Sequence, residues 1–251
     1  MKRRKFIQYA SAGAIASLGL YREQRASAQT ASVTVEWLGH TCFLFTGGQR
    51  ILVNPFRTVG CTAGYRAPQV TADVVMTSSQ LFDEGWTTGL PGNPRKLDEP
   101  GIYELDSGQV QGITSDHDLR GGRQFGSNVL WRWNQGGLTI LHMGGAAAPI
   151  TDEQEILIGR ADVILIPVGG GPKAYGPQAA KDAIERLEPK IVIPTHYRTA
   201  AADAATCDIQ PLDDFLSLMD APVRQVGNRT SLSKSSLPDS GYRVDVFSYG
   251  F

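Results

Sequence analysis

Three cysteines in 251 residues, none in a C-x-x-C pair, exclude a structural zinc knot and a thioredoxin-like redox motif. The pattern G-x-x-x-x-G-K-[ST] is absent, so Gly169–Gly171 reads as a tight turn rather than a phosphate cradle. The absence of G-x-S-x-G argues against a serine hydrolase of the nucleophile-elbow type. Beyond residue 28 there is no block of Lys or Arg. Residues 1–28 carry six of the 24 Lys/Arg and one of the 25 acids, so residues 29–251 hold 18 basic and 24 acidic residues, a net charge of −6. A protein that binds a phosphate backbone carries a basic stripe, so nucleic acid is not an expected partner. The apolar run Ala10–Leu20 is broken by Gly13 and Gly19 and is too short to cross a bilayer comfortably. No stable membrane span is expected in residues 29–251.

What the N-terminus does contain is Arg3-Arg4 ahead of that apolar run, followed by Ala26-Ser27-Ala28. This is the pattern of a twin-arginine export signal, 1–28, cut before Gln29. The other reading is an uncleaved anchor or a basic tail. Export would deliver the protein to a periplasm or a thylakoid lumen. The remaining 29–251 is long enough for one domain with a full core.

Short β-branched and aromatic runs separated by glycines predict strands at Val33–Trp37, Cys42–Thr46, Arg50–Val53 and Val74–Thr77. A second series is expected at Gly101–Leu105, Val110–Thr114, Asn128–Trp133 and Leu138–His142, then at Val163–Pro167, Ile191–Pro194 and Arg243–Ser248. Thr151, Asp152 and Glu153 open a helix that runs to Arg160. Apolar spacing predicts helices over Pro177–Leu187 and Leu212–Met219. Long loops at Arg57–Gln69, Thr87–Pro100 and Thr199–Pro211 are of the kind that carry function. Strand series followed by helices suggest two packed sheets covered by helices, an α/β fold of αββα sandwich type.

The blocks VEWLGHTCFLF, RILVNPF, ADVVMTSSQLFDEG, GITSDHDLRGG, GLTILHMGG and ADVILIPVGGGP…AIERLEPKIVIPTHY resemble, in order and content, the metallo-β-lactamase superfamily, in particular its L-ascorbate-6-phosphate-lactonase-like branch. The resemblance runs from about Val33 to Arg198. It implies the αββα sandwich and a hydrolytic two-zinc centre at strand ends. Members of that family typically read T-H-x-H-x-D-H after the strand that begins at Asp73. This chain reads Ser78-Ser79-Gln80-Leu81-Phe82-Asp83-Glu84. By that resemblance Ser79 and Leu81 stand where two histidines are expected, Asp83 keeps its Asp, Glu84 replaces a His, and Gly145 replaces the bridging Asp. His117 and His196 match the two later histidines.

One metal position is thereby reduced to His117, because leucine cannot ligate and serine is a poor zinc ligand. The other keeps Asp83 and His196, with Glu84 as a substitute and His117 as a fourth donor from across the cleft. Such a set suits one zinc, iron or manganese ion; a two-zinc centre is not expected. The other reading of Asp83-Glu84 is a helix N-terminal cap. His40 and His142 sit where the family also has histidine, beside the metals, and are expected to orient loops or ligands. Asn54 replaces an Asp there, which leaves the cleft less negative. Asp116 and Asp118 fit turn chemistry. Arg120, Arg123, Lys173 and Arg198 are either anion contacts or solvated loop charges.

Two functions follow. The one favoured by the ligand losses is an exported, metal-free descendant that binds a small molecule or another exported protein, a possible pseudoenzyme. The alternative is a hydrolase of a lactone, ester or phosphodiester, with one ion on Asp83, Glu84, His196 and possibly His117, and Asp83 handling the water as the catalytic carboxylate. Fold alone does not decide between them. Cys61 and Cys207 lie in two long loops on the side where the family's site opens, so a Cys61–Cys207 disulfide is one expectation and three reduced thiols the other. Cys42, within a strand, is expected to be a small buried hydrophobe.

Overall fold

The structure is a computed structural model, and it describes residues 32–203 and 205–250. Arg3, Arg4 and the rest of the expected export signal lie outside the described residues.

Alternation builds the first sheet. In β1 (Ser32–Gly39) every second residue, Val33, Val35 and Trp37, is buried, as expected of a strand with one face on a core. β1 pairs antiparallel with β2 (Cys42–Gly47), and β2 with β3 (Gln49–Val53). β4 (Val74–Met76) and β5 (Arg95–Leu97) then add in parallel. β13 (Arg229–Ser233) closes the other edge, giving the order β13-β1-β2-β3-β4-β5.

The second sheet holds eight strands. β6 (Gly101–Leu105), β7 (Gly108–Asp116), β8 (Ser127–Gln135) and β9 (Leu138–His142) form an antiparallel meander. β10 (Val163–Pro167), β11 (Ile191–Thr195), β14 (Arg243–Val246) and β12 (Val223–Gln225) continue from β9 in parallel. β10 and β11 are buried along their whole length, as parallel strands covered on both faces must be.

The two sheets share one apolar core. Phe43 and Phe45, which project from the same face of β2, meet the second sheet. Phe45 stands edge-on to Trp133 with ring centres 4.9 Å apart, and Phe43 edge-on to Phe247 at 5.6 Å. Gln135 ties the layers at their rim by donating to the carbonyls of Gly47 and Gln49.

Three α-helices occur among the described residues. α1 (Asp152–Ile158) starts at Thr151, whose side chain accepts from the Gln154 N–H while Gln154 returns the bond. This is a capping box; at the other end Gly159, with φ 57°, stops the helix short of the expected Arg160. α2 (Pro177–Leu187) has proline in its first turn and buries Ala180, Ala183, Ile184 and Leu187, the stripe the sequence predicts. α3 (Leu212–Leu216) is shorter than expected. The architecture is thus the αββα sandwich, with few helices.

Three strands escape the sequence pattern. β5 and β13 each bury only one of their residues, Leu97 and Leu232 respectively, and β12 buries none. All three are sheet edges, where half the backbone is unpaired and side chains stay polar.

Candidate metal centre

The residues singled out in the sequence leave strand ends on one side of the sandwich. Asn54 follows β3, Asp83 and Glu84 follow β4, His117 follows β7, Gly144 and Gly145 follow β9, Lys173 follows β10 and His196 follows β11; His40 turns β1 into β2. Crevices beyond the carboxyl ends of strands are where α/β sheets place ligands.

Backbone conformation marks the same place. Among the described residues, four that are not glycine have positive φ: His40 (52°), Asn54 (51°), Glu188 (45°) and His196 (51°). Glu188 ends α2 in an ordinary left-handed cap. The other three converge on the crevice, and such conformations cost about 1 kcal/mol or more each unless surroundings enforce them. Asn54 is held by its Oδ1 accepting from the Ser78 N–H at 2.8 Å. His40 is held by Trp37, whose indole N–H donates to the His40 carbonyl at 3.0 Å.

His40, Asp83 and His196 form a cluster in which one ligand atom of each lies within 4.8 Å of the others. The imidazoles of His40 and His196 are buried, their centres 4.4 Å apart. None of their four ring nitrogens has a hydrogen-bond partner. His40 Nε2 points at Asp83 Oδ2 from 3.7 Å, and the Lys173 ammonium contacts that same oxygen. Burial drives His196 down to about 3, reinforced by the neighbouring His40, so it is a neutral imidazole. Burial alone would raise Asp83, but His40, Lys173 and His196 together hold it well below the usual carboxylate range.

Glu84 does not join this cluster. Its Oε2 accepts from His117 Nε2 at 3.1 Å and from the Ser79 hydroxyl at 3.2 Å, while Oε1 is buried without a partner. His117 Nδ1 donates to the Lys173 carbonyl at 2.7 Å, so both ring nitrogens carry protons toward acceptors. Burial opposes charge on both side chains, yet each partner outweighs it: His117 is raised and Glu84 lowered. The pair is a buried imidazolium–carboxylate ion pair.

Gly145 explains why it can form. A Cβ there would stand 2.2 Å from His117 Cε1 and under 3 Å from both Glu84 carboxylate oxygens. The space that a residue 145 side chain would need is filled by the Glu84–His117 pair. The four residues Asp83, Glu84, His117 and His196 expected around one ion are therefore arranged as two groups. Asp83 and His196 face His40; Glu84 and His117 face each other.

The remaining sequence candidates are placed as follows. His142 is buried, and its Nε2 donates to the Thr41 carbonyl at 3.0 Å while Nδ1 accepts from the Gly144 N–H at 3.1 Å. Burial lowers it to about 4, and its role is to join the β1–β2 turn to the segment after β9. Asp118 accepts four backbone N–H bonds, from Arg120, Gly122, Gln124 and Phe125, a loop-shaping role. Of the four cationic loop residues only Lys173 reaches the cluster; Arg120, Arg123 and Arg198 are exposed. Cys61 and Cys207 are joined by a disulfide with Cα atoms 4.7 Å apart, and Cys42 is a buried free thiol.

Sequence reasoning left two participants out of the cluster. The sequence puts His40 beside the metals, and leaves Lys173 as either an anion contact or a solvated loop charge. The signal for His40 is Gly39-His40 at the end of an apolar strand, with both residues left-handed (φ 113° and 52°). Nothing in the sequence points to the Lys173–Asp83 contact.

A group of two buried imidazoles whose ring nitrogens make no hydrogen bond, beside one ionised carboxylate, fits a divalent ion. Two His and one carboxylate is a donor set that zinc and iron both accept. Among the described residues no second cluster of this kind occurs.

Residues 34–196 match the β-lactamase superfamily domain, and the chain belongs to that family. It is 28% identical over 203 residues to a UPF0173 metal-dependent hydrolase of Thermococcus kodakarensis, covering 66% of this chain and 85% of that one. A UPF0173 metal-dependent hydrolase of Pelotomaculum thermopropionicum is 29% identical over 197 residues, covering 66% and 84%. The crystal structure of a candidate zinc-dependent hydrolase of the metallo-β-lactamase superfamily from Thermotoga maritima is similar, with a TM-score of 0.68 and 31% identity, over 86% of this chain and 98% of that one.

Proposed function

We propose that this protein is a metal-dependent hydrolase working with one divalent ion held by His40, Asp83 and His196. The observation that carries the reading is the pair of buried imidazoles whose four nitrogens lack partners beside an ionised Asp83. Burying that many unsatisfied polar atoms is costly, and a ligated ion is the simplest way to satisfy them. The relatives named as metal-dependent hydrolases support this over the metal-free binding role that the missing histidines first suggested.

A bound ion supplies a water of lowered pKa and polarises a carbonyl or phosphoryl oxygen. Asp83, kept ionised, accepts a proton from the attacking water at its carboxylate. Glu84 Oε1, the buried acceptor left over from the His117 pair, holds a hydroxyl or water on the other side. His142, neutral and doubly bonded, keeps the β1–β2 turn and the Gly144–Gly145 backbone in register. By the branch the sequence resembles, the substrate is a lactone, ester or phosphodiester. Zinc, iron and manganese are all admitted by the donors. The twin-arginine pattern supports an exported setting for this activity, and a mature N-terminus at Gln29 tests that.

Elemental analysis of the purified protein tests the site. About one equivalent of metal, lost in the His40→Ala/His196→Ala variant, is expected. Metal-free protein after incubation with zinc, ferrous iron and manganese returns the choice to the binding role.

A further inference from the structure

The Lys173 ammonium contacts Asp83 Oδ2, the oxygen to which His40 Nε2 also points. Asp83 is partly buried, and the lysine reaches it from an anchored backbone. The Lys173 carbonyl accepts from His117 Nδ1, and His117 is fixed in turn by Glu84. The arm that carries Lys173 leaves β10 through Gly169, Gly170 and Gly171. Gly169 lies so close to the segment of His196 that a Cβ would stand 2.2 Å from the His196 carbonyl oxygen, and its N–H donates to that oxygen at 3.0 Å. Gly170 and Gly171 are both left-handed (φ 72° and 81°). The arm also borders a groove of about 660 Å³ lined by Gly170, Gly171, Pro172, Ala174 and Tyr175.

Charge counting follows. With His40 and His196 contributing ligand atoms, Asp83 is the cluster's only anion, and the Lys173 ammonium already neutralises it. A divalent ion on the same carboxylate would meet that ammonium within a few ångströms, where like charges repel strongly even at the effective dielectric of a protein. The Lys173 side chain is 21% exposed, so solvent lies within reach of a withdrawn ammonium.

We propose that Lys173 is a tethered competitor for the ion: its ammonium holds Asp83 when the metal is absent and leaves that oxygen when the metal binds. Metal loading and release of the 169–176 arm are then one linked equilibrium. The proposal rests on the single-metal reading above. A lysine that instead braced a metal-bound carboxylate would strengthen binding, so the two roles give opposite signs.

The test is a zinc titration of the full chain against a chromophoric chelator, for wild type, Lys173→Met, Lys173→Gln and Lys173→Arg. Each keeps the backbone carbonyl that His117 uses. Lys173→Met and Lys173→Gln are expected to bind zinc about tenfold tighter or more, and Lys173→Arg about as wild type. Hydrogen exchange at residues 170–175 of the wild type is expected to speed up on zinc loading. Unchanged or weaker zinc binding in Lys173→Met and Lys173→Gln, with stoichiometric zinc in the wild type, overturns the competitor and leaves the single-metal reading standing. Absence of zinc in all four proteins overturns both.

Discussion

His117 Nε2 stands 3.1 Å from Glu84 Oε2, and neither side chain reaches solvent. Charge that would repel a second cation or attract it is satisfied internally, one proton on imidazole against one carboxylate. Breaking such a pair leaves an uncompensated buried charge, at a cost of about 3–5 kcal/mol. Glu84→Gln and His117→Ala are each expected to lower stability by that order in urea denaturation. Either variant unfolding at the wild-type midpoint would show that the pair is not formed in solution.

The same pair makes Gly145 immutable in a specific way. Gly145→Ala is expected to destabilise by about 1–3 kcal/mol, because its new methyl must displace His117. In a double-mutant cycle the penalty should shrink once His117→Ala has emptied the space. Additive effects would place the clash elsewhere.

A two-zinc protein is expected only if four positions change together. Ser79→His, Leu81→His, Glu84→His and Gly145→Asp should raise zinc capacity above that of the wild type. Gly145→Asp alone should not, since Glu84 and His117 occupy its space. Equal zinc content in the quadruple variant and the wild type would mean the crevice has changed shape beyond its ligands.

Acid should weaken the fold through its neutral histidines. His142 titrates near 4 when folded, against about 6.5 when unfolded. The unfolded chain therefore takes the proton first. The stabilisation is present above the unfolded value and is lost as pH falls from there toward 4, roughly 3 kcal/mol in all. His196, pushed to about 3, acts in the same direction. His117, which is raised, acts oppositely: its share is present below the ordinary histidine value and fades as pH rises through its own. Tm measured from pH 7 to 4 should fall less steeply in His142→Gln than in the wild type. Parallel slopes would count against His142.

The sandwich was readable from periodicity because its central strands bury Val, Ile, Leu and Phe in runs that only a strand between two layers requires. Its edges were not, since Arg95–Leu97, Val223–Gln225 and Arg229–Ser233 look like loop until a neighbour supplies hydrogen bonds. At the crevice, His117, His196 and Asp83 were legible through the family resemblance, which matches them to motif positions. Their grouping was not. Whether Glu84 faces Asp83 or His117 depends on the volume that Gly145 vacates, and whether His40 enters the cluster depends on a left-handed turn. Both are packing outcomes over long separations, which local pattern does not encode. Lys173 belongs to the same class: its partner Asp83 is 90 residues away in sequence.

The Cys61–Cys207 disulfide joins loops 146 residues apart. By loop-closure entropy it contributes up to about 5 kcal/mol, and Cys61→Ser/Cys207→Ser should lower the Tm and abolish the effect of reductant on it. Two free thiols in a non-reducing peptide map of the purified, unreduced protein would remove this prediction.

That bridge also sets how the protein survives cutting. Leu119, 78% exposed in the loop after β7, is an obvious place for a protease to nick, and it lies between the two bridged cysteines. A chain cleaved there stays a single covalent object, with β1 to β7 on one fragment and β8 onward on the other. Under non-reducing conditions the nick adds only one water to the mass and releases no fragment, so the sandwich is clipped without coming apart.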